Sequence, residues 1–244
     1  MSDLRFLVFT AGFNSQKWVK KNIQSVKKQT YKNFLHIVVD DATTDRTAGL
    51  IERFKHDRMV SYRNKKNIRW VSNALQYIDK HTESEEDVIV VVDMDDWLPD
   101  RGVLQKLHDI YMEHDCWMTC GGYAEFSGKS IKKAVRKSPI TNGRKIREMG
   151  FYSHLKSFKS FLWKNINKND LRGPDGEYVR CTYDRAIMYP MGEMASIDKI
   201  HYIDELMYIY NTSNPLSVCK IERRNQKKYK GWFRKKKSYE RLLR

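Results

Sequence analysis

Asp93, Asp95 and Asp96 lie within four positions, directly after the unbroken apolar run Val88–Val92. Carboxylates so close repel one another, which calls for a cation among them or for open water around them. Asp-x-Asp on an extended segment points both carboxylates to the same side. Such hard oxygen ligands suit Mg²⁺ or Mn²⁺, which leaves other coordination positions for phosphate oxygens. The chemistry that fits is the holding of a diphosphate through a divalent cation. Asp96 or Asp100 alone reads more simply as a loop or capping aspartate before a helix at 101.

Strands are expected at 5–10, 35–40, 59–63 and 88–93, all rich in β-branched and aromatic residues. Helical patterns lie between them. In 15–28, Val19, Ile23 and Val26 share a face, with Asn14 or Ser15 as cap; 45–55 starts at Asp45 and stacks Leu50, Ile51 and Phe54. Residues 70–81 and 101–113 repeat the pattern. This alternation implies right-handed crossovers and a mainly parallel sheet with helices on both faces. Ligands of such sheets bind outside the carboxyl ends of the strands. Four strand ends then bring together Thr10 with Asn14, Asp40-Asp41, Arg63-Asn64 and the aspartates after Val92. After Gly121-Gly122 the rhythm breaks. Residues 123–150 read as a long surface excursion, 154–166 as a helix, 173–176 as a turn and 182–195 as a helix. One or two strands at 199–211 and a basic helical tail follow, with no internal repeat and no clean linker.

Residues 10–47, TAGFNSQKWVKKNIQSVKKQTYKNFLHIVVDDATTDRT, together with VVDMDDWLPD, resemble the family 2 glycosyltransferases of the GT-A fold. Residues 182–217 resemble the later half of that family less tightly. The resemblance implies an α/β, Rossmann-like single domain: a nucleotide-sugar-binding half (1–122), an acceptor-binding and catalytic half (123–219), and a basic aromatic tail (220–244). It implies inverting transfer of a sugar from a nucleotide-diphosphate donor, a UDP-sugar, to an acceptor hydroxyl. Thr10 and Asp41 would contact the nucleotide, joined by Ala11, Asn14, Asn73 and Met94. Asp93 would hold ribose or help with Mn²⁺ or Mg²⁺, Asp95 would coordinate that ion, and Asp184 would be the catalytic base. Three departures stand out. The second loop reads NKKNIRWVSNAL, so the usual Arg is missing and Arg69 is its expected substitute as a nucleotide contact; Phe13 replaces a Tyr; and Tyr183 replaces an acidic residue. For Asp184 the alternatives are an exposed helix-start aspartate or an ion pair with Arg185 or Arg180.

The acceptor is read from charge. The 244 residues carry a formal +16, of which residues 220–244 supply +10, with Tyr229, Trp232, Phe233 and Tyr239 among the cations. Segment 129–147 adds eight cations and no acid. Cations give salt-sensitive phosphate binding and aromatics stack on bases, which suits a hydroxylated base in DNA, as in phage DNA-modifying enzymes. His154, Trp163, Lys227, Lys228, Trp232 and Arg234 are the expected acceptor contacts. The same composition fits an anionic membrane surface beside a lipid-linked glycan or polysaccharide, or a solvated helix that only packs its aromatics. A non-catalytic nucleic-acid-binding protein is the reading of another class; repelling carboxylates argue against it. No apolar run approaches the roughly 20 residues of a membrane span, and no signal peptide is evident at the N-terminus. The four cysteines lack a zinc spacing, and His81, His114, Cys116 and Cys120 are too scattered for a metal site. A reduced cytoplasmic location, host cytoplasm if viral, is the expectation.

Overall fold

The computed structural model describes residues 4–133, 145–148 and 154–244. The first half alternates as the sequence implies: β1 (Phe6–Gly12), α1 (Val19–Lys27), β2 (Phe34–Asp40), α2 (Thr47–Phe54), β3 (Met59–Arg63), α3 (Arg69–His81), β4 (Val88–Val91) and α4 (Val103–Glu113). There follow β5 (Met118–Phe126), β6 (Ile131–Lys133), β7 (Lys156–Lys159), α5 (Ser160–Lys164), α6 (Tyr183–Ala195), β8 (Ile200–Asn211), α7 (Val218–Ile221) and α8 (Arg223–Lys235).

The strand order is β3-β2-β1-β4-β7-β5-β6, with β8 also paired to β5. β2 and β4 flank β1 in parallel, and β3 extends the sheet beyond β2. The chain thus winds outward from β1 to β3 and returns on the other side as β4. That reversal opens a crevice at the carboxyl ends of β1 and β4, where α/β sheets bind ligands. Both faces are covered: α3, α5 and α6 pack on one side around Phe9, Ile89 and Trp163, and α4 packs on the other around Val8, Val90 and Leu107.

Several expectations are corrected. α1 starts at Val19, because Asn14 and Ser15 are tied to the 43–47 turn: Thr43 Oγ1 takes the Asn14 N–H and Thr47 Oγ1 the Ser15 N–H. Asp45 does serve the start of α2, accepting the Thr47 N–H at 2.9 Å. Of the excursion expected over 123–150, residues 127–132 are exposed, while 123–126 are instead the end of β5, a strand between β7 and β8. Gly121-Gly122 does not end it. The register shifts there, and a Cβ on Gly122 would lie 1.5 Å from the Glu205 carbonyl oxygen, so glycine permits the strands to approach. The helix expected at 154–166 is strand β7 followed by the short α5. β7 fills the slot between β4 and β5, antiparallel to both, and that tertiary pairing overrides the helical spacing. The charged stretch 134–144 lies outside the described residues.

The tail is built into the domain. Tyr229 and Phe233, four apart on α8, are buried in the core that holds α6. Arg147 fixes the end of the helix: it pairs with Glu193 through Nε and Nη2 and donates to the carbonyls of Phe233, Lys236 and Lys237. The Phe233 and Lys236 carbonyls are orphans of the helix C-terminus, so a buried guanidinium satisfies them.

Candidate active site

Asp93, Asp95 and Asp96 occupy the turn after β4, held by residues from distant elements. Asn22 of α1 donates to the backbone carbonyls of Asp93 and Asp96, at 3.0 and 2.9 Å. Met94 points inward, 1% exposed, against Gly12, where a Cβ would stand 2.4 Å from the Met94 Cβ. The turn is thus clamped between α1 and β1, with Asp93 and Asp95 left half-buried and Asp96 buried.

Each carboxylate has its own donors. Tyr183 of α6 donates its hydroxyl to both Asp93 oxygens, at 2.8 and 2.7 Å. Asn214, in the loop after β8, donates to Asp95 at 2.7 Å. Asp96 is buried and accepts from the Tyr208 hydroxyl at 2.6 Å and from the Asn211 N–H at 2.7 Å. The Tyr208 oxygen also accepts the Asp93 N–H at 3.1 Å, tying the first and last aspartates together. Burial raises the Asp93 carboxyl, and the Lys156 ammonium and the Tyr183 bond oppose that rise. Burial pushes Asp95 up to about 6, with Asn214 opposing and the Asp93 charge adding. Burial, then the charges of Asp95 and Asp93, hold Asp96 well above the ordinary carboxylate range.

His154 completes the cluster. Its ring stacks on Tyr208 and Tyr210, and Nε2 lies 4.0 Å from Asp93 Oδ2. Asp93, Asp96 and His154 each offer a ligand atom within 4.8 Å of the others. Asp95 does not join that group of three among the described residues. With both Asp96 oxygens accepting hydrogen bonds, Asp96 acts as a brace of the turn. Carboxylate oxygens and an imidazole nitrogen are donor types that suit a divalent ion.

Asp41 directly follows β2 and is buried. Its Oδ1 accepts from Asn64 Nδ2 and the Ile68 N–H, and its Oδ2 accepts from the Arg69 N–H. It thereby caps the start of α3, where Arg69 has φ 69°. Asn73 is fully buried, with Oδ1 on Asn64 and Nδ2 unpartnered. Beside this group opens a cavity of about 440 Å³ lined by Ala42, Thr43, Arg63, Asn64 and Lys65. Ala11 is buried in β1. Thr10 is buried too, its hydroxyl 3.1 Å from His36 Nε2, so its side chain is committed to the sheet interior. Asn14 braces the 43–44 turn through its Oδ1.

Asp184 lies in the first turn of α6, half-buried, and its charge adds to the rise of the Asp93 carboxyl. Among the described residues it makes no hydrogen bond or ion pair, so the alternative pairing with Arg185 or Arg180 is not formed. Trp163 does not line the cleft. It is fully buried and donates its indole N–H to Asp79 at 2.7 Å, because it follows β7 into the core under α3. His154 belongs with the carboxylates. Lys227, Lys228, Trp232 and Arg234 are exposed on α8, with the Trp232 indole donating to the Arg172 carbonyl. The aromatic partners expected beside them, Tyr229 and Phe233, are committed to the core.

Sequence reasoning missed Lys156, Tyr208 and Asn214. Lys156 is 1% exposed on β7, and its ammonium lies 5.4 Å from the centroid of the Tyr183 ring. That ring stacks on Trp70 at 4.0 Å. Only the change of Tyr183 from an acid hinted at this arrangement.

Residues 8–173 match the family described as Glycosyl transferase family 2. Poly(ribitol-phosphate) beta-N-acetylglucosaminyltransferase TarS of Staphylococcus aureus is 21% identical over 223 residues, 86% of this chain and 36% of the relative. An uncharacterized glycosyltransferase of Rickettsia bellii is 34% identical over 67 residues, 28% of this chain and 10% of the relative. This chain therefore spans little more than a third of the longer of these matches. The crystal structure of S. aureus TarS 1–349 with UDP-GlcNAc superposes with TM-score 0.66 at 19% identity, covering 86% of this chain and 59% of that one. The mannosyltransferase PcManGT of Pyrobaculum calidifontis, solved with GDP-Man and Mn²⁺, gives TM-score 0.64 at 14% identity, covering 96% and 65%. The shared architecture is the α/β sheet described above.

Proposed function

The chain belongs to glycosyl transferase family 2, with a GT-A fold, and on that premise we propose that it transfers a sugar from a nucleotide-diphosphate donor to an acceptor hydroxyl with inversion. The observation that carries this reading is the crevice at the ends of β1, β2 and β4, with Asp41 on one side, Asp93 and Asp95 at its centre and Asp184 opposite. UDP-sugar is the donor class, supported by the UDP-GlcNAc bound in the TarS structure. Residues 1–122 form the donor half, residues 123–219 contribute the catalytic side, and 220–244 form the basic tail.

The cavity beside Asp41 and Asn64 takes the nucleobase, and Asp93 lies where ribose or the ion would reach. Asp93 and Asp95, with His154 beside them, would hold Mn²⁺ or Mg²⁺; the ion supplies positive charge that stabilises the departing diphosphate. The Mn²⁺ in the PcManGT structure supports that cofactor class. Asp184 receives the acceptor proton as its oxygen attacks opposite the leaving group. Without a hydrogen bond or ion pair among the described residues, the carboxylate is available for that task.

The acceptor is a hydroxyl on a phosphodiester polymer, first of all a hydroxylated base in DNA. The exposed cations and Trp232 of α8 support it, since α7 and α8 follow directly on the loop whose Asn214 holds Asp95. A second phosphodiester polymer, poly(ribitol phosphate), is favoured by the name of the S. aureus relative. The test is release and transfer of radiolabelled sugar from UDP-sugars with Mn²⁺ or with EDTA. One arm offers DNA containing hydroxymethylated pyrimidines and the other offers poly(ribitol phosphate). Metal-dependent turnover abolished by Asp184→Asn is expected, with label entering the DNA arm. Undiminished turnover in Asp184→Asn overturns the catalytic reading, and label entering only poly(ribitol phosphate) overturns the DNA acceptor.

A further inference from the structure

Lys156 is the only lysine buried in the core among the described residues. It sits on β7 in register with Val91, two residues before Asp93. Its ammonium makes no hydrogen bond or ion pair among the described residues. A lysine buried to its head with no carboxylate at ion-pair distance is costly, and a side chain kept there only to fill space would be served better by Met. Its surroundings indicate what the charge does. The Tyr183 ring under the ammonium is the one whose hydroxyl grips both Asp93 oxygens. The Lys156 charge is also the first to oppose the effect of burial on Asp93.

We propose that Lys156 is a resident counter-cation of the donor site, which offsets Asp93, keeps the cluster receptive to a diphosphate and limits its hold on the divalent ion. Lys156 is a positioning residue; it acts on the ligands through Asp93 and through the net charge of the cleft. The inference rests on the donor-site reading given above. It carries a signature that a packing role lacks, because one charge acts with opposite sign on a metal and on a phosphate. Neutralising it tightens the metal and loosens the metal-free nucleotide.

The test compares wild type with Lys156→Met in two calorimetric titrations: Mn²⁺ alone, and UDP in EDTA. A unit charge several ångströms from an ion, at an effective dielectric near 20, changes binding by about tenfold or more. Lys156→Met should therefore bind Mn²⁺ about tenfold more tightly and UDP without metal about tenfold more weakly. Lys156→Arg, which keeps the charge, should stay near wild type in both. Lys156→Gln carries the same titrations if Lys156→Met does not fold. Both constants unchanged, or both weakened together, overturns the proposal, as does Lys156→Arg behaving like the neutral variant. A wild-type protein that binds neither Mn²⁺ nor UDP would instead refute the donor-site reading itself.

Discussion

Replacing Tyr208 with Phe removes one oxygen atom from the middle of the aspartate turn and tests what holds that turn in shape. Tyr208 is fully buried on β8, more than a hundred positions from the residues it joins. Its hydroxyl donates to Asp96 at 2.6 Å and accepts the Asp93 N–H at 3.1 Å. A hydrogen bond to a charged group contributes about 1.5–3 kcal/mol, and an orphaned buried N–H costs about 1–3 kcal/mol. Allowing for relaxation, the variant should lose about 2–4 kcal/mol, or about 5–15 °C in Tm for a chain of this length. The loss should depend on pH. The folded pKa of Asp96 is already raised above its unfolded value, so its contribution to stability falls as pH rises through that folded pKa. Removing a donor to the charged form raises the pKa further, so the deficit should be larger at pH 8 than at pH 5. Calorimetric melting in EDTA at both pH values measures it, with a UDP titration alongside. A Tm within about 2 °C of wild type at both pH values, with unchanged UDP affinity, would refute the reasoning.

Two further outcomes are expected. Arg147→Met takes the guanidinium from the half-buried Glu193, which keeps only the Tyr239 N–H, and uncaps the Phe233 and Lys236 carbonyls at the end of α8, so it should cost about 3–5 kcal/mol. Hydrogen exchange should rise in 223–235 before it rises in β1; uniform exchange would show that α8 is not held there. His36 and His56 stack at 5.7 Å, and burial pushes them down to about 3 and about 4, with the His56 charge adding to the effect on His36. Folded values below the unfolded ones mean stability is full above about pH 6.5 and falls as the pH drops, by about 4 kcal/mol at pH 5 for the pair. Asp95, pushed up to about 6, opposes this with about 1 kcal/mol over the same window. His56→Phe should remove about half of the histidine effect in urea midpoints compared at pH 7 and 5. An unchanged pH slope would show that His56 is not charged on unfolding.

The first half of the fold was legible because each of its strands is followed by its own helix, so local period alone separates them. β7 was not legible, since KSFKSFLWK has helical spacing and becomes a strand only where β4 and β5 leave an open lane. β5 was cut short at Gly121-Gly122 because a glycine pair reads as a turn, and only the close approach of β8 explains it inside a strand. The aspartates after β4 and Asp41 after β2 could be placed at strand ends from sequence. Their donors could not, because Tyr183, Tyr208 and Asn214 come from about 90 or more positions away. Trp163 was misplaced for a related reason: an aromatic among lysines reads as surface until Asp79 is seen to take its indole N–H.

The repulsion that marks the aspartate turn in the sequence is met largely by the protein itself. Asp96 is satisfied by a hydroxyl and a backbone N–H, and Asp93 by a hydroxyl with a lysine behind it. Among the described residues the Asp95 carboxylate accepts one hydrogen bond, from Asn214 at Oδ2, and so keeps the most unused acceptor capacity of the three. These donors are fixed by β8 and α6, which pack in the core, so the turn holds its shape before any ion arrives. A divalent ion then has little folding to do and contributes its charge. In that case metal binding should raise nucleotide affinity far more than it raises Tm beyond simple ligand linkage. A Mn²⁺-induced rise in Tm larger than its measured affinity accounts for would mean that the ion, and not the tyrosines, organises the turn.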